Sequence, residues 1–152
     1  MVSKKDLSCL FYIFLIPAIL IALDQATKLF AKIYLESPIL IIKNILSLTL
    51  VMNHGIAFGL FQGANDIIVW LYIIVLGLII YFYDKFPKGT FNCIMLSLII
   101  TGVVGNFIDR LFLGYVVDFI SLRFWPVFNV ADICLCVGII GILGKEILKK
   151  KD

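Results

Sequence analysis

Histidine occurs once in this chain, at His54, and the only cysteines are Cys9, Cys93, Cys134 and Cys136. That scarcity excludes a zinc centre, which needs several His, Cys or carboxylate ligands at ligand spacing. A serine or cysteine triad lacks its base unless His54 serves, and no Ser or Cys is suitably placed for one. Charge is equally sparse. Asp, Glu, Lys and Arg make up 15% of the residues and the formal net charge is +3. No Lys/Arg stripe is present, which excludes nucleic acid as a partner. The chain also lacks internal repeats and low-complexity segments.

What it has instead is apolar residue. Hydrophobic types are 62% of the 152 residues and the mean hydropathy is +1.11, against about 45–50% apolar in a soluble domain. A membrane protein is the class that fits. Four stretches, 7–26, 67–83, 91–108 and 130–148, are each near the ~20 residues a spanning helix needs. They predict one integral-membrane domain over 1–152, with outer segments at 27–66 and 109–129. Lys4 and Lys5 flank the first stretch as in a signal peptide, but the run is long and Asp24 stands where a cleavage site would lie. It is expected to be a retained helix. The cysteines all sit in apolar runs and are expected to be buried, free and inert.

Positive charge sets the expected orientation. Lys4, Lys5, Lys85, Lys88, Lys145, Lys149, Lys150 and Lys151 lie at the two ends and in the loop after the second stretch. Both termini are therefore expected on the cytoplasmic side. Trp70 and Tyr72 at one end of the second span, and Tyr81 and Tyr83 at the other, suit interfacial belts. In the outer segments, "KLFAKIYLES" predicts a short interfacial helix. "ILSLTL" alternates as strands do, "YVVDFI" is also strand-like, "NHG" at 53–55 offers a turn, and "IAFGLF" a further strand. A small sheet on the outer membrane surface follows. Gly138 and Gly141 allow close helix contact, inside the bundle or in a dimer.

The unusual polar groups gather at one depth. Asn106, Asp109 and Arg110 end the third span; Asn129 and Asp132 begin the fourth; Asp118 lies between; Asp24 and Lys28 close the first. A charge at the bilayer centre costs about 2.5–3.5 kcal/mol on insertion scales, so their presence asks for a reason. Two carboxylates held close share a proton, and such a pair can activate water and protonate a carbonyl. Plainer readings stand beside this one. Asp24–Lys28 reads first as a structural ion pair, Asp109–Arg110 as a brace for the loop, and His54 as a turn residue. Asn106 and Asn129 could satisfy backbone groups or orient the aspartates. Asp132 could complement a helix dipole, and Asp118 could be a solvated strand residue. A small transporter would use the same acids as a polar path, but the inner halves of all four stretches are nearly free of polar groups.

"DQATK" at 24–28, "NHGIAFG" at 53–59, "GVVGNFIDR" at 102–110, "VVDF" at 116–119 and "FNVADICLCVG" at 128–138 together resemble the motif blocks of the lipoprotein signal peptidases, or signal peptidase II. They occur in the family's order and span nearly the whole chain. One departure is Gly102-Val103-Val104-Gly105, where the family often has two glycines before the "GNxxDR" pattern. The resemblance implies a membrane aspartyl endopeptidase of bacteria that cuts diacylglyceryl-modified prolipoproteins just before the lipidated cysteine. It implies Asp118 and Asp132 as the catalytic pair. Asn106, Asp109, Arg110 and Asn129 would form the supporting shell. Asn53, Gly55, Ala57 and Phe58 would belong to the segment that cradles substrate, and Asp24 and Lys28 to the first-helix motif. The implied fold has four transmembrane helices with a small extracytoplasmic β-cradle and a short interfacial helix. The expected protein is a monomer in the bacterial cytoplasmic membrane, without metal or cofactor. Its partners would be lipidated prolipoproteins and membrane lipids, and its site would lie near the outer leaflet.

Overall fold

In the computed structural model, which describes residues 4–55 and 63–150, the first helix runs unbroken from Lys4 to Tyr34 (α1). No Gly or Pro interrupts residues 24–34, so the segment expected as a separate interfacial helix is the last part of α1 instead. At 1.5 Å per residue α1 is about 46 Å long, more than the ~30 Å hydrocarbon core. Its interior Pro17 is tolerated where neighbouring helices re-satisfy the backbone. Three short strands and three further helices follow: β1 (Ile39–Ile42), β2 (Leu46–Asn53), α2 (Asn65–Phe82), α3 (Thr90–Leu113), β3 (Val116–Leu122) and α4 (Val130–Lys149). The strand expected at 56–61, with Ala57 and Phe58, lies outside the described residues.

The helices are predominantly apolar and expose large side chains outward, among them Phe14, Ile80, Phe112 and Ile140. By length and composition, Asp6–Tyr34, Asn65–Lys85 and Thr90–Leu113 could each cross a membrane. Helix α4 has 20 residues but carries Asp132 in its first turn and Lys145, Glu146 and Lys149 towards its end. Helix α3 is the hub, packed against α1 and α4 and more lightly against α2. Small residues let these helices approach. A Cβ on Gly105 would meet Ala131 Cβ and Asp24 Oδ2, each at 2.9 Å, so α1, α3 and α4 converge at this one position.

The antiparallel sheet has the order β1-β2-β3. The hairpin between β1 and β2 turns through Asn44 at φ 61°, a left-handed conformation that Asn tolerates. An irregularity in register between Leu48 and Val51 brings Val51 opposite Asp118 and Asn53 opposite Val116. Asn53 is thereby a diagonal neighbour of Asp118 on one face. The sheet packs on the end of α1 through Phe119 against Ala31 and Leu35, with Leu48, Leu50, Ile120 and Val130 around them. Helix α3 ends at Gly114 with φ 80°, whose N–H returns to the Arg110 carbonyl. That stop delivers the chain straight into β3.

The cysteines depart from expectation. Cys9 on α1 and Cys93 on α3 form a disulfide, with their Cα atoms 5.3 Å apart, while Cys134 and Cys136 are free. The pairing joins residues 84 apart in sequence, a proximity that only helix packing creates.

Candidate active site

Asp118 comes from the middle of β3 and Asp132 from the first turn of α4, and both line one cavity of about 220 Å³. Asn129 joins them. It caps α4 in a reciprocal arrangement: its side-chain oxygen accepts from Asp132 N–H at 2.9 Å, and its own N–H donates to Asp132 Oδ2 at 3.1 Å. The same side chain donates from Nδ2 to Asp118 Oδ1 at 2.7 Å. Asp118 also accepts from Asn53 Nδ2 at 2.9 Å, and Asp132 from Asn106 Nδ2 at 2.7 Å. Four N–H groups thus aim at the two carboxyls and fix their rotamers. Burial is the largest influence on Asp118, pushing its pKa up to about 7. The Asn53 N–H opposes the rise, and the neighbouring Asp132 charge adds to it.

Beneath the pair lies a buried ionic cluster. Lys28 Nζ is 2.8 Å from Asp24 Oδ2, 3.0 Å from Asp109 Oδ2 and 3.0 Å from Asn106 Oδ1. Its three protons are fully used. Asp24 Oδ1 accepts from Ala131 N–H at 2.8 Å, tying α1 to the start of α4, and Asp109 Oδ2 accepts from Val117 N–H at 3.0 Å, tying α3 to β3. A lone buried charge is costly, and here each has an opposite charge and hydrogen bonds. The cluster therefore fixes how the elements bearing Asp118 and Asp132 meet.

Arg110 braces the cavity's other side. Its Nη2 donates to the Gly55 carbonyl and its Nη1 to Asn65 Oδ1 at 3.4 Å; Asn65 Nδ2 returns to the Arg110 carbonyl at 3.2 Å. Gly55 N–H donates to Asn53 Oδ1 at 3.0 Å, which turns the Asn53 amide nitrogen towards Asp118. Of the residues singled out from sequence, Asp24, Lys28, Asn53, Gly55, Asn106, Asp109, Arg110, Asp118, Asn129 and Asp132 are linked in this continuous network. His54 stays apart from it, its ring 5.3 Å from that of Tyr115. Among the described residues no three His, Cys, Asp or Glu side chains are grouped to hold a metal ion.

Two participants escaped the sequence reading. Gln25 donates to Asp109 Oδ1 at 2.9 Å and to the Gly105 carbonyl at 3.2 Å, bridging α1 and α3. Only its place inside "DQATK" hinted at a role. Tyr72, expected in an interfacial belt, lines the cavity instead. Trp125, Pro126, Val127 and Phe128 form a lip between β3 and α4. Cys136, one helical turn beyond Asp132, carries the cavity onto an exposed face of α4. Two adjacent carboxyls, one of them titrating near neutral pH because it is buried, can act as acid and base in a hydrolysis.

Comparison with known proteins agrees with that chemistry. A family model described as signal peptidase (SPase) II matches residues 16–148. A lipoprotein signal peptidase of Clostridium acetobutylicum is 43% identical over 148 residues, covering 91% of this chain and 96% of its own. One from Streptococcus agalactiae serotype V is 44% identical over 131 residues, covering 83% and 85%. A solved bacterial membrane enzyme superposes with a TM-score of 0.84 at 32% identity, covering 92% of this chain and 89% of its own. A second scores 0.78 at 33% identity, covering 86% and 89%.

Proposed function

Because the chain belongs to the signal peptidase II family and is an aspartic endopeptidase that removes signal peptides from prolipoproteins, we propose that Asp118 and Asp132 are its catalytic pair. The observation that carries this is their common cavity, bridged by Asn129, which hydrogen-bonds to both. One carboxylate and one carboxylic acid held together can draw a proton from water and deliver one to the scissile carbonyl oxygen, without a covalent intermediate.

The substrate is a precursor whose cysteine already carries a diacylglyceryl group, cut on the amino side of that cysteine. Acyl chains anchored in lipid fix the scissile bond near the membrane surface. The end of the bundle that holds Asp118 and Asp132 is the outer one. Support comes from the opposite end, where the basic segments meet: Lys88 pairs with Asp6 at 3.2 Å, and Lys145 donates to Asn92 at 2.7 Å. Positive charge favours the cytoplasmic face. Both termini are then cytoplasmic, and α4 makes a fourth crossing, its C-terminal charges reaching the inner headgroups. The sheet is the cradle for the extended segment ahead of the lipidated cysteine, with Asn53 and Gly55 at its rim. The protein acts as a monomer in the bacterial cytoplasmic membrane, surrounded by its lipids.

The test is release of signal peptide from a lipidated precursor by the purified protein in detergent, beside its unlipidated counterpart. Efficient cleavage of the lipidated form alone is expected. Equal cleavage of both would remove the lipid from the recognition.

A further inference from the structure

If the pair is catalytic, its two members are not equivalent, and the orientations of two amides show why. An ammonium group can only donate, so Lys28 Nζ, 3.0 Å from Asn106 Oδ1, fixes that oxygen towards itself and turns Asn106 Nδ2 onto Asp132 at 2.7 Å. A backbone N–H can also only donate. The one on Asp132 holds Asn129 Oδ1 at 2.9 Å and so turns Asn129 Nδ2 onto Asp118 at 2.7 Å. Neither amide can flip without setting oxygen against oxygen or donor against donor.

Asp132 therefore receives an N–H from an amide polarised by a cation, together with the backbone N–H of Asn129 at 3.1 Å. It also stands in the first turn of α4, where unpaired backbone N–H groups and the helix dipole favour negative charge. Asp118 stands in a strand, where the net dipole is small, and its donors are the neutral amides of Asn53 and Asn129. The other charged or titratable groups around the pair are Lys28, Asp24, Asp109, Arg110 and Tyr72, and Lys28 acts on both acids while the Asp24 charge faces Asp132. Lys28 from α1 is bound directly by Asp24 and Asp109 and reaches the pair through Asn106, on the Asp132 side. Arg110 from α3 is held by Gly55 and Asn65, and Tyr72 from α2 lies beside Arg110.

We infer that the shared proton rests on Asp118 and that Asp132 is the ionised partner, with Lys28 and Asn106 as the positioning residues that impose this asymmetry. In the first step water oxygen bonds to the scissile carbonyl carbon while Asp132 takes one water proton and Asp118 gives its proton to the carbonyl oxygen. In the second, the C–N bond breaks as Asp132 passes its proton to the departing nitrogen. Asp118 recovers a proton from a hydroxyl of the tetrahedral carbon. Acid and amine leave, and both carboxyls return to their starting states.

The test is dicyclohexylcarbodiimide on the full-length protein in detergent, followed by peptide mapping by mass spectrometry. The reagent needs a protonated carboxyl: the acid proton passes to a carbodiimide nitrogen as the carboxyl oxygen bonds the central carbon. The adduct is expected on Asp118 over Asp132 by at least about tenfold, the ratio that one pKa unit between them gives, with precursor cleavage lost in step. Asn106→Ala removes the polarised donor, and the ratio should fall towards one; an unchanged ratio in a folded variant would remove Asn106 from the device. The wild-type measurement stands even if that variant fails to fold. An adduct mainly on Asp132, equally on both, or on neither overturns the assignment and leaves the peptidase reading standing. Full modification of Asp118 with cleavage undiminished removes Asp118 from the catalytic pair.

Discussion

Asn129 donates to Asp118 at 2.7 Å from a side chain whose other end is held by the Asp132 backbone, so a helix cap doubles as the spacer between two acids. Asn129→Ala keeps neither function. Loss of an ~1 Å placement can cost about 10²-fold in rate, and a cap is worth about 1 kcal/mol. Turnover of lipidated precursor should fall by at least about 10²-fold, with only a modest loss in thermal stability; the two are read by peptide release and by a melting curve in detergent.

Asp118 titrates near 7 because it is buried, so activity that needs its proton should fall as pH rises through about 7. The linkage has the same sign: with the folded pKa raised, its contribution to stability is fully present at low pH and lost as pH passes 7. The Asn53 N–H stabilises the ionised form. Asn53→Ala should therefore move the alkaline limb of the pH–rate profile to higher pH. A move to lower pH would contradict the assigned cause.

Lys28 neutralises two buried carboxylates, and its side chain is 3% exposed. Lys28→Met leaves Asp24 and Asp109 facing each other uncompensated. Breaking a buried ion pair by removing one partner costs about 3–5 kcal/mol, so this variant should lose more stability than Asn129→Ala. Chemical denaturation in detergent compares them.

The Cys9–Cys93 bond is buried, each residue 1% exposed, and so shielded from soluble reductants. Alkylation of the denatured, unreduced protein should block two thiols, those of Cys134 and Cys136, and four after reduction. Four before reduction would show that the pair is open.

Much of this was legible from residue order. The apolar runs gave helices α1 to α4 because length and hydropathy are local properties, period-2 alternation marked β2, and β-branched and aromatic composition marked β3. The site residues stood out because each is costly in lipid. What the sequence hid was spatial. The strand β1 is a run of four apolar residues with no alternation to reveal it. The end of α1 lacks any breaker, and the partners of its polar residues are distant in sequence: Ala131 on α4 for Asp24, Asn106 and Asp109 on α3 for Lys28. Gln25 carries no charge and drew no notice, although it bonds across to Asp109. Tyr72 reads from sequence only as an interfacial aromatic, and the packing of α2 on α3 places it at the cavity.

The most direct measurement is turnover of a lipidated precursor by Asp118→Asn and Asp132→Asn, each purified in folded form. General acid–base catalysis supplies about 10²–10⁴-fold, so both variants should lose at least about 10²-fold while remaining inserted in the membrane. Near-normal turnover by either would contradict the pair.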